Sequence, residues 1–474
     1  MENNQTQSLS LLEKFNKWIS ESITVKLASI GILMLLLLIP SQWIIHLIEE
    51  RQQRAVESKT EVYSKWSGKQ LLAGPFLVIP FKANKTEYVE VNKTLVPKTI
   101  SYTEYFYLVP ELLNSTIHIT PTTLHRGIYD VAVYESDLNH HVQFSIPDET
   151  KRNVKNKDLL WKDAFLVYSL SDQRGISEKP VIKNGNRELE AEPTQNLGIA
   201  FGNSVTDNGD VYYRESMETT LNQGGFKIPL QLTRAEDFNG SFSFTLKIKG
   251  SETLEFLPIA KTTTIKAEGE WASPSFIGEF LPANRNVGDS SFTADWKILH
   301  FNRALDDFWI GTDKKIDGGA FGVKLVIPAD QYQKSIRTAK YGQLIILLTF
   351  LALFLVEVIR KTRIHPFQYL LIAAALIIYY SLLLSISEQL GFNIGYMVAS
   401  LLTITLVSWY TKTFLPNRSL TYLFAGLMVF FYAFIFIIII QQELSLLLGS
   451  IGLFLIIAMV MYLSRHITWY KQNE

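Results

Sequence analysis

Six long apolar segments determine most of what this chain can fold into. They are residues 27–48, 341–359, 367–386, 394–410, 420–440 and 444–463. A helix needs about 20 mainly apolar residues to cross the hydrocarbon core of a bilayer, and these segments are close to that length. Inside lipid every backbone polar group must find a partner within the protein, so we expect six transmembrane α-helices. The sequence therefore predicts a multi-pass membrane protein surrounded by a lipid bilayer.

Basic residues near the ends of these segments predict their orientation, because lysine and arginine are retained in cytoplasmic loops. They precede the first span, fill two of the short connections and follow the last span: Lys14, Lys17, Lys26, Arg360, Lys361, Arg363, Lys412, Arg418, Arg465 and Lys471. The other two short connections, 387–393 and 441–443, contain neither lysine nor arginine. Both termini are therefore predicted to be cytoplasmic.

This orientation divides the chain into five parts. We predict that the first span is retained, because Glu49, Glu50 and Arg51 follow it where a signal peptide would have small residues. The expected localisation is the bacterial inner membrane, with the large segment in the periplasm. The parts are a cytoplasmic segment (1–26), the first helix (27–48), a periplasmic β-rich domain (49–340), helices two to six (341–464) and a cytoplasmic tail (465–474).

The segment between the first two spans has the pattern of a β domain. Residues 48–68 are predicted to continue the first helix, which Gly68 and then Gly74-Pro75 end, with Gly74-Pro75 turning the chain into the first strand. After that, alternating or β-branched runs predict strands at 76–81, 102–108, 128–133, 142–146, 165–170, 242–248 and 321–327. Asn184-Gly185 predicts a tight hairpin.

Many short strands with turn signals are typical of a sandwich or a curved open sheet. We predict an all-β domain of this kind with two lobes, divided near residues 194–225, and one helix near 215–221. Seven residues in this domain and its entry helix are candidate structural positions, where glycine and proline fix turns and aromatic rings fill a core: Trp66, Gly74, Pro75, Trp271, Pro274, Phe276 and Gly278.

Several function classes are disfavoured by composition and by the motifs that the sequence contains. Cysteine is absent, which excludes disulfides, thiolate metal sites and cysteine catalysis. Lysine plus arginine balance aspartate plus glutamate at 45 each, so nothing indicates a nucleic-acid partner. Neither a metalloprotease, a serine-hydrolase, a phosphate-binding nor a dinucleotide motif occurs. His140-His141 falls in a strand, where neighbouring side chains point to opposite faces and cannot easily share a metal. We therefore predict no catalytic residue, metal or cofactor.

Charged groups in the spans carry the remaining functional signal, because they are costly in lipid and often functional. Glu357 lies one turn before the basic connection, where it could simply pair with Arg360 or Lys361. The alternative is a polar cluster that couples the helices to a cytoplasmic event or to a proton. The residues of this cluster would be Glu357, Arg363 and His365. Gln368 and, at the outer end of span three, Glu388 are further candidate functional polar residues.

Motifs along nearly the whole chain, in order, resemble the CreD family of inner-membrane proteins. Two blocks are specific, 273–285 around Pro274 and Gly278, and 363–371 around His365. Further similar blocks are 70–75, 126–129, 172–176, 328–333 and 387–392. The resemblance implies a multi-pass inner-membrane protein linked to cell envelope integrity and envelope stress. It supplies no catalytic residues.

Three function classes remain open at this point. The first is a non-catalytic envelope-maintenance protein whose outer domain binds or scaffolds a lipid, a glycan or an envelope protein. The second is a transporter or lipid-handling protein, which a cavity at membrane depth around Glu357 and Glu388 would favour. The third is a membrane-bound hydrolase acting on wall precursors, which would need converging carboxylates or histidines in an outer cleft.

Overall fold

The computed structural model describes residues 23–91, 94–146, 159–195, 200–201, 224–312, 315–316, 319–327, 331–360, 362, 364–415, 417–441 and 445–465. The chain forms two compact units. The membrane unit comprises Met1–Val56 and Ala329–Glu474, and the β unit comprises Glu57–Pro328.

The first helix, α1 (Ile23–Trp66), is 44 residues long and has Pro40 inside it. At 1.5 Å per residue its length is about 65 Å, roughly twice the thickness of a hydrocarbon core. Its second half is polar and carries the ion pairs Arg54–Glu50 and Lys65–Glu61, each one turn apart. The predicted continuation of the first span as a helix is therefore confirmed.

The remaining helices belong to the membrane unit: α2 (Gln331–Lys340), α3 (Gly342–Arg360), α4 (Pro366–Leu390), α5 (Phe392–Thr411), α6 (Arg418–Ile440) and α7 (Ser445–Ser464). Among the described residues, five helices are long and apolar enough to cross a membrane, and Leu447–Ala458 in α7 is a shorter apolar stretch. Every predicted span is thus helical, while the complete six-helix bundle stays a prediction. Residues 331–340, which the sequence placed in the periplasmic segment, form α2 in the membrane unit.

The β unit is built from two mixed sheets. Its strands are β1 (Gln70–Val91), β2 (Thr94–Leu108), β3 (Leu112–Arg126), β4 (Tyr129–Gln143), β5 (Phe165–Leu170), β6 (Val181–Asn184), β7 (Arg187–Leu189), β8 (Glu192–Thr194), β9 (Ala200–Phe201), β10 (Gly224–Pro229), β11 (Ser241–Ser251), β12 (Thr253–Phe256), β13 (Thr262–Gly269), β14 (Pro274–Gly278), β15 (Asn284–Val287), β16 (Phe292–Leu299), β17 (Phe308–Ile310), β18 (Lys315–Ile316) and β19 (Phe321–Leu325). Sheet A has the order β14-β19-β12-β1-β5-β10-β8, with β2 also on β1 and β17 on β2. Sheet B has the order β15-β16-β13-β3-β4-β11-β6-β7, and β18 pairs with β9 separately.

The two sheets share one hydrophobic core. Tyr168 of sheet A lies 6.1 Å from Phe244 of sheet B between ring centroids, and Phe321 of sheet A lies 5.6 Å from Trp296 of sheet B. Strands such as β3 and β4 alternate buried and exposed residues, as expected when one face is covered. The β unit is therefore a sandwich, one of the two architectures that the strand pattern predicted.

The prediction of two lobes divided near residues 194–225 is wrong. Sheet A combines β1 and β5 from before this segment with β10 and β12 from after it, and sheet B combines β3 and β4 with β11 and β13. Neither half could bury its strands alone, because each sheet needs strands from both. The helix predicted near residues 215–221 lies outside the described residues.

Several strand boundaries also differ from the prediction. β1 has 22 residues, and β2, β3 and β4 have 15 each. The strand predicted at 142–146 is only the end of β4 followed by irregular chain. Long parts of these strands are exposed or alternate apolar with polar residues. A search for apolar runs therefore finds only the parts of the strands that are buried. The hairpin at Asn184-Gly185 is confirmed, with Gly185 at φ 59°.

Gly74-Pro75 is not the turn that the sequence predicted. The pair lies inside β1, where the register with β5 shifts between Ala73 and Phe76. Gly74 has φ 139°, and the bond to Pro75 is cis. The positive φ of Gly74 serves a bulge that lets one strand continue instead of a chain reversal.

Candidate functional site

The end of α1 is fixed to the β unit by buried polar groups. Gln70 opens β1 and is only 1% exposed. Its Nε2 lies 3.0 Å from Ser67 Oγ, 2.9 Å from the Asp172 carbonyl oxygen and 3.1 Å from the Lys249 carbonyl oxygen. These acceptors come from the end of the helix, from the segment after β5 and from β11. One side chain therefore joins the helix end to both sheets.

Asp172 and Arg174 complete this junction. The Asp172 carboxylate accepts hydrogen bonds from the Gly68 backbone N–H at 2.9 Å and from the Arg174 guanidinium at 2.6 Å and 2.9 Å. Arg174 also donates to the Ser64 carbonyl oxygen at 2.6 Å, in the last turn of α1. Helix ends leave such carbonyls without helical partners and favour a cation there. We call Gln70, Asp172 and Arg174 the junction clamp.

These hydrogen bonds keep the Asp172 carboxylate in its charged form. Partial burial acts to raise the pKa of the Asp172 carboxyl, but hydrogen bonds from Arg174 and Gly68 outweigh it and lower the pKa to about 2. The carboxylate is therefore charged at any pH near neutrality. Trp66, the last residue of α1, adds a contact, since the Lys249 ammonium lies 4.6 Å from its ring centroid.

Little in the sequence alone predicts the junction clamp. Its residues lie in two blocks that resemble the CreD family, 70–75 and 172–176, but neither block has the form of a chemical motif. Gly175 in the second block was the one sign in the sequence of a close contact at this position. A Cβ at Gly175 would overlap the Gln70 amide, so only glycine allows the two segments to approach this closely.

In the membrane unit, Glu357 fastens the connection between α3 and α4. Its side chain is buried at 3% exposure. Oε1 accepts from the Ile364 backbone N–H at 3.1 Å, and Oε2 accepts from the Tyr369 hydroxyl at 3.1 Å. The structure thus gives Glu357 partners that the sequence did not predict. Arg363 lies outside the described residues, as do the side chains of Arg360 and Lys361.

His365 and Gln368 cap α4. The His365 Nδ1 accepts from the Phe367 N–H at 3.2 Å, and the His365 N–H donates to Gln368 Oε1 at 2.9 Å. Pro366 occupies the first helical position, which needs no backbone donor. These contacts form a reciprocal capping box, so both side chains serve backbone groups of the connection.

Glu388 belongs to a different place. It lies near the opposite end of α4 and accepts from the Tyr332 hydroxyl of α2 at 3.1 Å. Glu357 contacts the start of α4, and the axis of α4 extends about 30 Å from there to Glu388. The two carboxylates are therefore not brought together.

A cleft of about 310 Å³ lies beside Glu357. One wall is formed by α1 residues including Ile30 and Leu33, and the other by Pro366, Tyr369 and neighbours on α4. The lining is almost entirely apolar, with the Glu357 carboxylate as its acidic group. A cleft of this character suits an acyl chain better than a polar solute.

Four buried tyrosines inside the membrane unit were not predicted as a group. Tyr379 lies 4.8 Å from Tyr380, 5.0 Å from Tyr432 and 6.0 Å from Tyr396 between ring centroids. The Tyr396 hydroxyl donates to the Tyr432 carbonyl oxygen at 2.7 Å. The cluster packs α4, α5 and α6 together. In the sequence, the Tyr379-Tyr380 pair in an otherwise apolar span was the feature that could have indicated this cluster.

The other candidate structural residues of the β unit support the joint between the sheets. Pro274 begins β14, and the Trp271 Nε1 donates to the Val326 carbonyl oxygen at 3.1 Å. Phe276 packs edge-on against Trp296 at 5.8 Å. Gly278 has φ 96°, and a Cβ there would overlap the carbonyl oxygen of Ala320 on the approach to β19.

His140 and His141 lie on opposite faces of β4, as predicted. His141 is exposed, whereas His140 is buried between Ser115 Oγ, 2.7 Å from its Nδ1, and the Tyr168 hydroxyl, 2.9 Å from its Nε2. Burial lowers the pKa of the His140 imidazole to about 4. Within the described ranges, no three His, Cys, Asp or Glu side chains gather as metal ligands.

A long first helix, a β-sandwich inserted after it and a group of further apolar helices define a multi-pass membrane protein with a large β-sheet-rich region. Residues 22–470 match the family described as Inner membrane protein CreD. The chain is also 30% identical over 449 residues to Inner membrane protein CreD of Escherichia coli (strain K12), covering 94% of this chain and 93% of that protein. The chain belongs to the CreD family of inner-membrane proteins, which confirms the resemblance seen in its motifs.

Proposed function

We propose that this protein maintains the bacterial cell envelope without catalysing a reaction. Its sandwich is held in the periplasm, where it binds or scaffolds an envelope lipid, glycan or protein, and its membrane helices act as the anchor. The observation that carries this proposal is the junction clamp. It ties the end of α1 to both sheets through Gln70, Asp172 and Arg174. Such a junction suits a domain that keeps its entry helix ordered while it engages a partner.

The proposed orientation rests on the alternation of basic and non-basic connections. Lys412 and Arg418 flank the connection between α5 and α6, whereas the connection between α4 and α5, at Leu390–Phe392, has no basic residue. With one span preceding the β unit, this pattern puts the sandwich on the side opposite the basic connections.

Single cysteines provide a direct test of this orientation, because the natural chain has none. We expect Asn139→Cys and Gln389→Cys to react with a membrane-impermeant maleimide in intact spheroplasts, since both positions are exposed. Thr413→Cys and Asn417→Cys, also exposed, should react only after the membrane is permeabilised. Labelling of position 417 in sealed spheroplasts would overturn the proposed topology.

The apolar cleft beside Glu357 favours a second function, lipid handling. Its volume of about 310 Å³ would accommodate part of an acyl chain. Two observations weigh against it as the main function. Glu357 already bonds to Ile364 and Tyr369, and Glu388 lies far from the cleft. A cavity around both carboxylates would favour this function, whereas the lining of the cleft contains Glu357 and not Glu388.

Complementation of an envelope-stress-sensitive strain lacking its own family member separates the two functions. We expect Asp172→Ala to lose stress tolerance at normal protein level, because it removes the acceptor that holds Gly68 and Arg174. Glu357→Gln should keep tolerance. The matched control is Glu190→Ala, which breaks the exposed Lys179–Glu190 pair at 2.9 Å elsewhere in the β unit.

The protease resistance of the β unit is measured in parallel, so that unfolding is not mistaken for lost function. Full tolerance in a folded Asp172→Ala variant would contradict the role of the clamp. Loss of tolerance in Glu357→Gln alone would instead establish the lipid-handling function.

A further inference from the structure

One hairpin of the β unit projects beyond its sheet. β1 pairs with β5 only as far as Val78, and β2 pairs with β17 only from Phe106 onward. Among the described residues, the parts of β1 and β2 within 82–103 pair only with each other, in register from Lys82 opposite Thr103 to Val91 opposite Thr94. We call this two-stranded projection the β-arm. At about 3.3 Å per residue it extends roughly 30 Å.

The end of the β-arm exposes large apolar side chains on both of its faces. Directly opposed residues of an antiparallel pair share a face. Val89 and Val96 are opposed and therefore mark one face, at 42% and 46% exposure. Tyr88 and Leu95 lie on the other face, at 67% and 64% exposure. Apolar groups exposed together in this way mark interaction sites.

Lysines lie on both sides of these apolar side chains along the chain, with Lys82, Lys85 and Lys98 nearer the sheet and, by sequence, Lys93 between the two strands. The Lys85 ammonium lies 3.3 Å from the Glu87 carboxylate. Lys85 and Lys98 are exposed on the same face as Val89, and Lys82 is exposed on the other. Residues 82–103 contain four lysines against two glutamates, so the β-arm is basic although the chain as a whole is neutral. Tyrosine and aliphatic side chains with lysines close to them match the groups that proteins place at the interface of a bilayer whose headgroups are anionic.

We propose that the β-arm inserts the apolar side chains near its end into the interface of an anionic lipid membrane. A protein groove that covered one face of the hairpin would leave the other face in water, whereas lipid surrounds both. A two-stranded hairpin is marginally stable alone in water, and burial of its end in lipid stabilises it. This second lipid contact is separate from the membrane helices and from the junction clamp.

The test uses the full-length protein in nanodiscs, with single cysteines at Val89→Cys and Val96→Cys carrying a polarity-sensitive fluorophore. We expect a blue-shifted emission and quenching by nitroxide-labelled lipids when the lipids are anionic. Replacing Lys85 and Lys98 together by glutamine should reduce both effects, as should high salt. Asn139→Cys, exposed on β4 away from the β-arm, is the matched control and should stay unquenched.

Placing the nitroxide lipids either in the nanodisc or in separately added vesicles distinguishes the protein's own membrane from an opposing one. The proposal is overturned if positions 89 and 96 stay as water-exposed as position 139 in every lipid mixture. It is equally overturned if these positions are protected in detergent without lipid and crosslink to a second copy, since the β-arm would then be an interface between protein chains.

Discussion

Gly278→Ala is expected to make the β unit much more sensitive to protease. Gly278 has φ 96°, a conformation that residues with a Cβ rarely adopt. The added carbon would also overlap the Ala320 carbonyl oxygen and lie 2.6 Å from Phe321 Cα. Both are backbone atoms at β19, so no side chain can move aside. We expect a loss of about 4 kcal/mol, a large part of the 5–15 kcal/mol that stabilises a typical domain.

Gly185→Ala is the matched control for this prediction. Gly185 also has a positive φ, of 59°, but nothing lies within 4 Å of the place that its Cβ would take. Its substitution should cost only about 1 kcal/mol of backbone strain. Limited proteolysis of both full-length variants in detergent measures the folded fraction. Equal amounts of the resistant β unit would show that the contact with β19 imposes no constraint.

Gln70→Leu is expected to lower the free energy of unfolding of the β unit by about 3 kcal/mol. The substitution keeps the size of the side chain but leaves the Lys249 carbonyl without the amide that bonds to it. The Asp172 carbonyl loses the same amide and keeps only its hydrogen bond from the Gly175 N–H among those described. Each buried acceptor left without a partner costs about 1–3 kcal/mol. The expected loss corresponds to a fall of roughly 10 °C in the unfolding temperature.

The measurement is thermal unfolding of the purified full-length protein, followed by proteolysis of the β unit. Gln143→Leu is the control, because Gln143 is an exposed glutamine in β4 and its replacement should change stability by less than about 0.5 kcal/mol. If both variants unfold at the same temperature, the hydrogen bonds of Gln70 contribute nothing to stability.

The membrane helices could be predicted from the sequence because their signal is local. A run of apolar residues long enough to cross a bilayer has few other uses, and all six segments proved helical. The β strands were found only where they are buried. The β-arm shows why, since its strands are exposed to solvent on both faces and therefore have no apolar alternation to detect.

The junction clamp could not be predicted because its contacts join distant residues through the backbone. Gln70 bonds to carbonyl oxygens of Asp172 and Lys249, and any residue at those positions offers the same carbonyl. The sequence singled out Glu357 but favoured neighbouring basic residues as its partners. Its described partners, Ile364 and Tyr369, become neighbours only when α3 and α4 fold back on each other.

The strand order of the sandwich has a consequence for its synthesis. Two parallel pairs close the sheets, Gln70 with Leu254 between β1 and β12, and Leu112 with Thr262 between β3 and β13. Pairings so distant along the chain form slowly. A long loop must close first, and this costs conformational entropy before any contact stabilises the closed loop. Under the proposed topology, the first strands reach the periplasm well before their partners have crossed the membrane. The open edges of β1 and β3 must therefore be kept from aggregating until the C-terminal strands arrive, which makes translocation the vulnerable stage in the life of this protein.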